Sequence, residues 1–130
     1  MYDATILERL KNLEYAGIVT GADAVGQVGS IATGSLMKLY LRIDNGVITE
    51  AKFKALGGVF VLVACDILCE FLTNASIETA LTIKSDDIVS ALPGLPEDKL
   101  YMAVLAQSLV GDAFDDYYKK LAKAKLNEKK

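Results

Sequence analysis

Residues 57–72, GGVFVLVACDILCEFL, decide the fold, because a glycine pair is followed there by the longest apolar run of the chain. Asp66 and Glu70 lie four positions apart within this run, and that spacing places both carboxylates on one face of a helix. We therefore predict a helix over Val59–Leu72. Such a helix is about 21 Å long and carries two charges, whereas a membrane span needs roughly 20 apolar residues. The pattern predicts a helix in the core of a globular domain.

The two faces of this helix differ. Six apolar residues cluster on the face opposite the carboxylates and are predicted to be buried: Val61, Ala64, Cys65, Leu68, Phe71 and Leu72. Asp66 and Glu70 are predicted to face solvent. Val59, Leu62 and Val63 share the carboxylate face, so another part of the molecule should cover the first half of the helix.

Length and composition predict one globular domain. The chain has 130 residues, of which 52% are hydrophobic and 24% charged. We expect residues 1–125 to form this domain and residues 126–130 to form a frayed tail. A net charge of −3 and a pI near 4.9 disfavour nucleic acid as a partner. The chain starts with no signal-peptide pattern, so we expect a cytoplasmic protein whose two cysteines remain thiols.

The pattern along the chain is helix, three strands, then helices. A first helix is predicted over Ala4–Asn12, and a glycine-rich loop follows with at most one short strand, at about Ala24–Gly29. Residues Leu36–Ile43 and Val47–Leu56 alternate between apolar and polar side chains. Asp44-Asn45-Gly46 between them is typical of a tight turn, so these two strands form a hairpin. This order predicts the α+β class, with helices covering one face of the sheet.

Helices follow the central one. Ser76 and Ser85 each precede acidic residues and are predicted to cap two short helices. Pro96 suits the first turn of a long final helix, and Gly111 within it predicts close packing, because glycine weakens a helix by about 1 kcal/mol. Six residues of this helix are predicted to form its core stripe: Leu100, Val104, Val110, Phe114, Tyr117 and Leu121.

Several motifs fail as active or metal sites. Residues 29–35 have the glycine spacing of a phosphate loop but lack its lysine, which neutralises the phosphates. Cys65 and Cys69 have helical spacing, yet a structural zinc site needs four ligands and the chain has no His and no third Cys. Asp115 and Asp116 diverge by 100° on a helix and are predicted to be solvated. Without histidine no Ser/His/Asp or Cys/His arrangement exists, so we predict that the protein is not an enzyme.

Several segments, in order along almost the whole chain, resemble the IscU/NifU-type iron-sulfur cluster scaffold family. They are Ala22-Asp23-Ala24-Val25-Gly26-Gln27-Val28-Gly29, Met37-Lys38-Leu39-Tyr40-Leu41, Asp44-Asn45-Gly46-Val47-Ile48, Ala51-Lys52-Phe53-Lys54, Lys99-Leu100 and Val104-Leu105-Ala106. The resemblance implies a three-stranded antiparallel sheet with helices packed on one face. That is the architecture the periodicity also predicts.

The same resemblance implies which positions held ligands. Such scaffolds hold a nascent cluster, or zinc, through three cysteines and an aspartate. The cysteine positions match Thr33, Gly58 and Met102, the aspartate matches Ser35, and a histidine beside the last cysteine matches Tyr101. Thiolates bind iron and zinc because they are anionic and soft, and none of these replacements offers that charge. We therefore expect no metal or cofactor.

Apolar residues surround these matched positions. Five of them are predicted to form either an apolar interface or pocket, or extra core: Ile31, Val59, Phe60, Leu62 and Val63. Complete burial of Val59, Leu62 and Val63 would contribute about 1.5–3 kcal/mol each, which is enough in sum to favour association.

Three functions follow as hypotheses. The first is a non-catalytic scaffold-like protein of iron-sulfur cluster assembly that acts by protein–protein association, either as a homo-oligomer or with an assembly protein such as a cysteine desulfurase. The second is a carrier that binds an iron-sulfur cluster or zinc through Cys65 and Cys69. The third is a small-molecule-binding module or enzyme built on Thr33, Ser35 and Tyr101.

Overall fold

The protein has an α+β fold, with a three-stranded antiparallel sheet covered by helices on one face. The computed structural model describes residues 2–128, with the side chain of Ile31 outside the description. The strands are β1 (Ala24–Ser30), β2 (Ser35–Asp44) and β3 (Val47–Leu56), in the order β1-β2-β3. The predicted fold class is confirmed, and β1 is longer than the sequence pattern predicted.

The hairpin of β2 and β3 follows the alternation of its side chains. Asn45 and Gly46 form its turn with φ angles of 50° and 74°, as predicted for residues that tolerate positive φ. Residues on one face of the hairpin are buried beneath the helices: Met37, Leu39, Leu41, Ala51 and Phe53. The other face carries half-buried and exposed side chains, among them Leu36, Lys38, Tyr40, Lys52, Lys54 and Leu56.

Five α-helices complete the fold within residues 2–128. They are α1 (Ala4–Lys11), α2 (Val59–Leu72), α3 (Ile77–Ala80), α4 (Ser85–Ala91) and α5 (Tyr101–Glu128). The bounds of α2 are those predicted from its apolar run. None of these helices combines the length and the hydropathy needed to cross a bilayer.

The caps of the short helices agree with prediction in one case of two. The Ser76 hydroxyl accepts an N–H from the first turn of α3 at 3.1 Å, as predicted. Ser85 does not cap α4, because it is the first residue of the helix and Lys84 occupies the N-cap position. The Ser85 N–H donates to Gln107 Oε1 of α5 at 2.6 Å. The Asp87 carboxylate instead accepts the N–H of Lys84 at 2.8 Å.

The predicted core stripe of α5 is partly wrong. Leu100, Val104 and Leu121 are 38%, 58% and 40% exposed. The buried stripe combines three alanines, which allow the helix axis to approach the sheet closely, with four larger apolar residues: Met102, Ala103, Ala106, Leu109, Val110, Ala113 and Phe114. The helix begins after a single 3-10 turn at Glu97–Lys99 and continues through Glu128. Residues 126–128 continue the helix and residues 129–130 lie outside the described part, so the division into a domain over residues 1–125 and a frayed tail stays a prediction.

Close packing involves a different glycine from the one predicted. A Cβ on Gly111 would meet no atom within 4 Å, so no close approach requires this glycine. A Cβ on Gly26 of β1 would lie 2.7 Å from the Ala113 nitrogen and 2.8 Å from the Leu109 oxygen. Gly26 is thus the residue that lets α5 rest directly on β1.

Asp66 is buried, which corrects the prediction that it faces solvent. Its side chain is 1% exposed, its Oδ2 accepts Arg9 Nη1 at 2.8 Å, and its Oδ1 accepts the Tyr15 N–H at 3.0 Å. The reason is that α1 packs across α2 and supplies a guanidinium to this carboxylate. Glu70, one turn later, stays exposed at 3.3 Å from Arg9 Nη2.

The two edges of the sheet are closed differently. Along β1, the N–H groups of Val25 and Gln27 donate to the carboxylates of Asp116 and Asp112 of α5, at 2.8 and 2.7 Å. Asp116 is therefore half-buried rather than solvated as predicted, whereas Asp115 is exposed.

Along β3, covering segments bond at two places. The Phe53 N–H donates to the Tyr15 oxygen at 2.9 Å, and the Phe53 oxygen accepts the Gly17 N–H at 2.8 Å. Ile48 is similarly bonded to Asn74 and Ala75, at 2.7 and 2.8 Å. The edge of β3 is thus covered in patches by loop backbone, without the carboxylates that line β1.

Candidate functional site

Thr33, the first matched position, ends a 3-10 turn between β1 and β2. Its hydroxyl donates to the Ser30 oxygen at 2.9 Å and accepts the Ser30 N–H at 3.3 Å. The threonine therefore closes its own loop, and its oxygen is engaged in local hydrogen bonds. Ser35 lies opposite Ser30 in the ladder of β1 and β2 and is half-buried.

The second matched position, Gly58, is the N-cap of α2. Its φ of −80° suits any residue, and a Cβ there would meet no atom within 4 Å. The preceding Gly57 has φ 144° and must remain glycine; a Cβ on it would lie 3.4 Å from the Gly34 oxygen. This contact shows that the turn before α2 and the loop containing Gly34 are neighbours.

The third matched position, Met102, lies in the first turn of α5. Because Asp116 binds Val25 and Asp112 binds Gln27, α5 runs antiparallel to β1. The three residues from Gln27 to Ser30 span about 10 Å, which corresponds to about seven residues of helix. The start of α5 therefore lies at the end of the sheet that carries Ser30. All three matched segments thus lie toward the same end of the molecule.

The side chains at this end do not form a metal-binding set. Met102 is 4% exposed and belongs to the core, while Tyr101 beside it is exposed. In residues 2–128, no three His, Cys, Asp or Glu side chains gather closely enough to hold a metal ion. A hydroxyl, a hydrogen and a buried thioether provide no anionic donor, so the residues present do not fit an iron-sulfur cluster or zinc.

Both cysteines are free and buried in α2. Burial, followed by the charge of Asp66, raises the pKa of Cys65 from 9.0 to about 12. Burial is also the main cause of a pKa well above 9.0 for Cys69, with Cys65 and Asp66 adding to it. Both groups are therefore protonated thiols at neutral pH, and metals bind thiolates.

The apolar residues predicted to surround the site divide into two groups. Phe60 and Val63 are buried, so these two follow the extra-core alternative rather than the interface or pocket. Part of the reason is that α1 packs against α2, and the ring of Tyr2 lies 5.4 Å from that of Phe60 in an edge-to-face contact. Val59 and Leu62 are half-buried at the helix surface. The side chain of Ile31 lies outside the described part.

A cavity of about 740 Å³ opens beside Leu62. Its lining combines the end of β3, the outer face of β2 and the loop that covers Phe53: Ala16, Gly17, Leu36, Lys38, Tyr40, Phe53, Lys54, Ala55, Leu56 and Leu62. None of Thr33, Ser35 and Tyr101, the predicted small-molecule site, lines it. Leu36 and Leu56, which face each other across the ladder, were missed. Their signal was present, because two leucines occupy the polar phase of the hairpin alternation.

Comparison with known proteins identifies the class. The profile of the NifU-like N terminal domain matches residues 1–124. The chain is 31% identical over 123 residues to the iron-sulfur cluster assembly scaffold protein IscU 1 of Archaeoglobus fulgidus, which covers 95% of this chain and 80% of that protein. It is 30% identical over 120 residues to the iron-sulfur cluster assembly scaffold protein IscU of Haemophilus influenzae, covering 89% and 94%.

A solved structure shows the same fold. The N-terminal domain of a nitrogen-fixing NifU-like protein from Brucella abortus superposes with a TM-score of 0.73 at 19% identity, over 91% of this chain and 94% of that one. The molecule is thus an α+β domain of the kind found in cluster-assembly scaffolds. The chain belongs to the NifU-like N-terminal domain family, which confirms the predicted resemblance.

Proposed function

We propose that this protein is a non-catalytic, scaffold-like member of iron-sulfur cluster assembly that has lost its metal ligands and acts by association with other proteins. Family membership and the names of its relatives support the pathway. The partner is a second copy of the chain or an assembly protein such as a cysteine desulfurase. The contact surface is the apolar end of the molecule, at Val59, Leu62 and the adjoining Leu56.

One observation carries this proposal: the positions that match the family's ligands hold no anionic donor, and an apolar cavity opens at Leu56 and Leu62, close in sequence to Gly58. The Thr33 hydroxyl is hydrogen-bonded within its own loop, Gly58 has no side chain, and Met102 is buried in the core. In contrast, Leu56 beside Gly57 is 55% exposed. Exposed leucine next to a cavity favours contact with another surface.

The burial of Cys65 and Cys69 argues against the carrier hypothesis. Both thiols point into the core of the domain and have raised pKa values, so a metal would have to displace α2 to reach them. A carrier that used them would lose its packing when it was loaded.

The size of the cavity supports a second candidate, an apolar small-molecule-binding module. A volume of about 740 Å³ lies within the usual range of ligand pockets, and most of its lining is apolar. A panel of apolar ligands that raised the melting temperature of the native protein but not of a Leu62→Glu variant would favour this candidate.

Metal analysis tests the loss of ligands. We expect protein purified without oxygen to contain no stoichiometric iron, sulfide or zinc by mass spectrometry and colorimetry. The positive control is the variant Thr33→Cys/Ser35→Asp/Gly58→Cys/Met102→Cys, which restores the donor types at the matched positions. Stoichiometric metal in the native protein that also survives Cys65→Ser/Cys69→Ser would contradict the proposal.

Association is tested separately by light scattering and by calorimetry with a purified cysteine desulfurase. We expect self-association or desulfurase binding that Leu56→Glu abolishes. Leu81→Glu is the matched control, because Leu81 is similarly exposed but lies beside α3 and does not line the cavity. Binding that both variants leave intact would place the interface elsewhere.

A further inference from the structure

The edge of β3 is open at Ala55, beyond the loop cover of Phe53. Phe53 directs both backbone groups away from β2: its N–H donates to the Tyr15 oxygen and its C=O accepts the Gly17 N–H. Backbone groups alternate in direction along a strand, and the ladder between β2 and β3 is regular from Glu50 to Leu56. The N–H and C=O of Ala55 therefore point away from β2 as well. Among residues 2–128 they have no hydrogen-bond partner.

The apolar cavity lies alongside this open position. Ala55 is one of its lining residues, with Leu56 next to it and Leu62 of α2 opposite. Leu36, on the outer sheet face, completes the apolar wall. An unpaired backbone amide beside a row of apolar side chains is the arrangement to which an extended peptide adds as a strand.

Unpaired lysines cluster on the outer face of the same strands. Lys38 and Lys54 lie directly opposite each other in the ladder, and Lys52 follows on β3. In the part of the chain that the structure describes, no carboxylate forms an ion pair with any of the three, whereas Arg42 nearby is paired with Glu50 at 3.4 Å. This basic surface occurs on a chain of net charge −3.

We infer that the open edge of β3 binds an extended, acidic segment of a partner protein, which adds as a fourth strand at Ala55. The inference deepens the proposed function and rests on it in one respect, because both use the cavity as a contact surface. The backbone of the segment pairs with Ala55, and its acidic side chains face Lys54 and Lys38.

The period of a strand sets the sequence that this site selects. Successive side chains of an added strand point to opposite faces of the sheet. Those on the helix side meet Leu62, and those on the outer side lie next to Lys54, at about 5 Å between Cβ atoms. The segment should therefore alternate apolar and acidic residues.

A second copy of the chain fits this edge poorly. Antiparallel pairing of two β3 edges centred on Ala55 places each Lys54 opposite the Leu56 of its partner. Both Lys54 side chains then lie on the same face, about 7–8 Å apart on the diagonal, where like charges destabilise the pair. Lys38 and Lys52 of both copies add positive charge to that face. An acidic segment neutralises this charge.

The inference is tested by titrating ¹⁵N-labelled protein with an eight-residue peptide of alternating Val and Glu. We expect shift changes at the amides of Ala55, Leu56 and Gly57, and slower exchange of the Ala55 amide. The same peptide N-methylated at every second residue, on the amides that face β3, should bind about tenfold more weakly or not at all, because the strand hydrogen bonds are lost. This control leaves the protein unchanged.

The preference of the site for acidic peptides is tested with one further peptide and one protein variant. A Val/Lys peptide of the same length should not bind, and Lys54→Glu should weaken Val/Glu binding about three- to tenfold, with a smaller dependence on salt. Lys84→Glu is the matched control, because Lys84 lies before α4 and away from the cavity.

Several results would overturn the inference: no Val/Glu binding at millimolar concentration, equal binding of the N-methylated peptide, or shift changes that map away from Ala55. So would a dimer whose Ala55 amide is protected before peptide is added. Metal content is measured separately and without peptide. If the peptide does not bind, the proposed loss of metal ligands is still tested by the metal analysis.

Discussion

The two edges of the sheet are closed by different chemistry. Along β1, two carboxylates one helical turn apart, Asp112 and Asp116, accept the outward N–H groups, so a single helix seals the edge. Along β3, loop backbone covers Phe53 and leaves Ala55 without a partner. The helix supplies acceptors to two successive outward N–H groups of β1, whereas a loop covers only the residues that it contacts. The difference leaves β3 as the edge available for binding.

The largest expected effect comes from removing Asp66, which holds the loop that covers β3 at Phe53. Asp66→Ala removes the acceptor of the Tyr15 N–H and leaves the guanidinium of Arg9 without its buried partner. We expect the free energy of unfolding to fall by about 3 kcal/mol, the lower end of the range for a broken buried pair, because Arg9 is 19% exposed. Urea denaturation measures it.

Glu70→Ala is the matched control for Asp66. Its bond to Arg9 is longer and exposed, so the loss should stay below about 0.5 kcal/mol. Equal losses in the two variants would show that the β3 cover does not depend on Asp66.

The second effect concerns the seat of α5 on β1. Gly26→Ala forces a methyl group against backbone atoms of Leu109 and Ala113, which cannot rotate away. We expect a loss of about 2–3 kcal/mol by thermal or urea unfolding.

Gly111→Ala is expected to change the stability in the opposite direction from Gly26→Ala. Space around Gly111 is open, and alanine favours a helix interior by about 1 kcal/mol. This variant should be more stable than the native protein. A destabilised Gly111→Ala would mean that α5 packs more tightly there than described.

The third effect measures the carboxylates that seal β1. Asp112→Ala and Asp116→Ala should each cost about 1 kcal/mol, because each leaves a strand N–H without its acceptor. Asp115→Ala, at an exposed position between them, should change stability by less than about 0.5 kcal/mol.

Asp116 also predicts a pH dependence. Burial alone would raise its pKa, but hydrogen bonds from Lys120 and the Val25 N–H, with the charge of Lys120, lower the pKa below 3.8. A lowered pKa in the folded state gives stability that is complete above pH 3.8 and is lost as the pH falls through the folded pKa. The stability difference between native protein and Asp116→Asn should therefore shrink below pH 3.8. A constant difference would contradict this assignment.

The smallest expected effect on stability comes from a pair of lysines on the outer face of β2 and β3. Lys54 lies opposite Lys38, so Lys54→Glu replaces repulsion by attraction and should stabilise the protein by about 0.5 kcal/mol. High salt should remove the gain, because exposed charges are screened. A loss of stability would mean that Lys54 has a folded-state role beyond its charge.

Local patterns predicted the fold well. Both strands of the hairpin and the bounds of α2 follow from alternation and from one apolar run. The errors arise where a distant residue changes the environment. From its local pattern Asp66 was predicted to be solvated. Only the fold shows that Arg9, 57 positions earlier in the chain, lies beside it. The sequence pattern gave Gly26 no packing role, and only the contact of β1 with α5 shows that this position must lack a side chain.

The candidate site was predicted less completely. The resemblance supplied Thr33, Gly58 and Met102, and the structure places their segments toward one end of the molecule. The sequence left open whether Phe60 and Val63 are core or interface, because the cover of Phe60 includes Tyr2, from the start of the chain. Ala55 could not be found by pattern at all, since its unpaired backbone depends on where a loop ends.

Asp66 binds both α1 and the loop at Tyr15, so one buried carboxylate joins two parts of the opening segment to α2. Proteolysis between Arg9 and Tyr15 would do more than shorten the chain. If α1 then dissociated, Asp66 would lose the guanidinium of Arg9, and the loop at Tyr15 that covers Phe53 would be held less firmly.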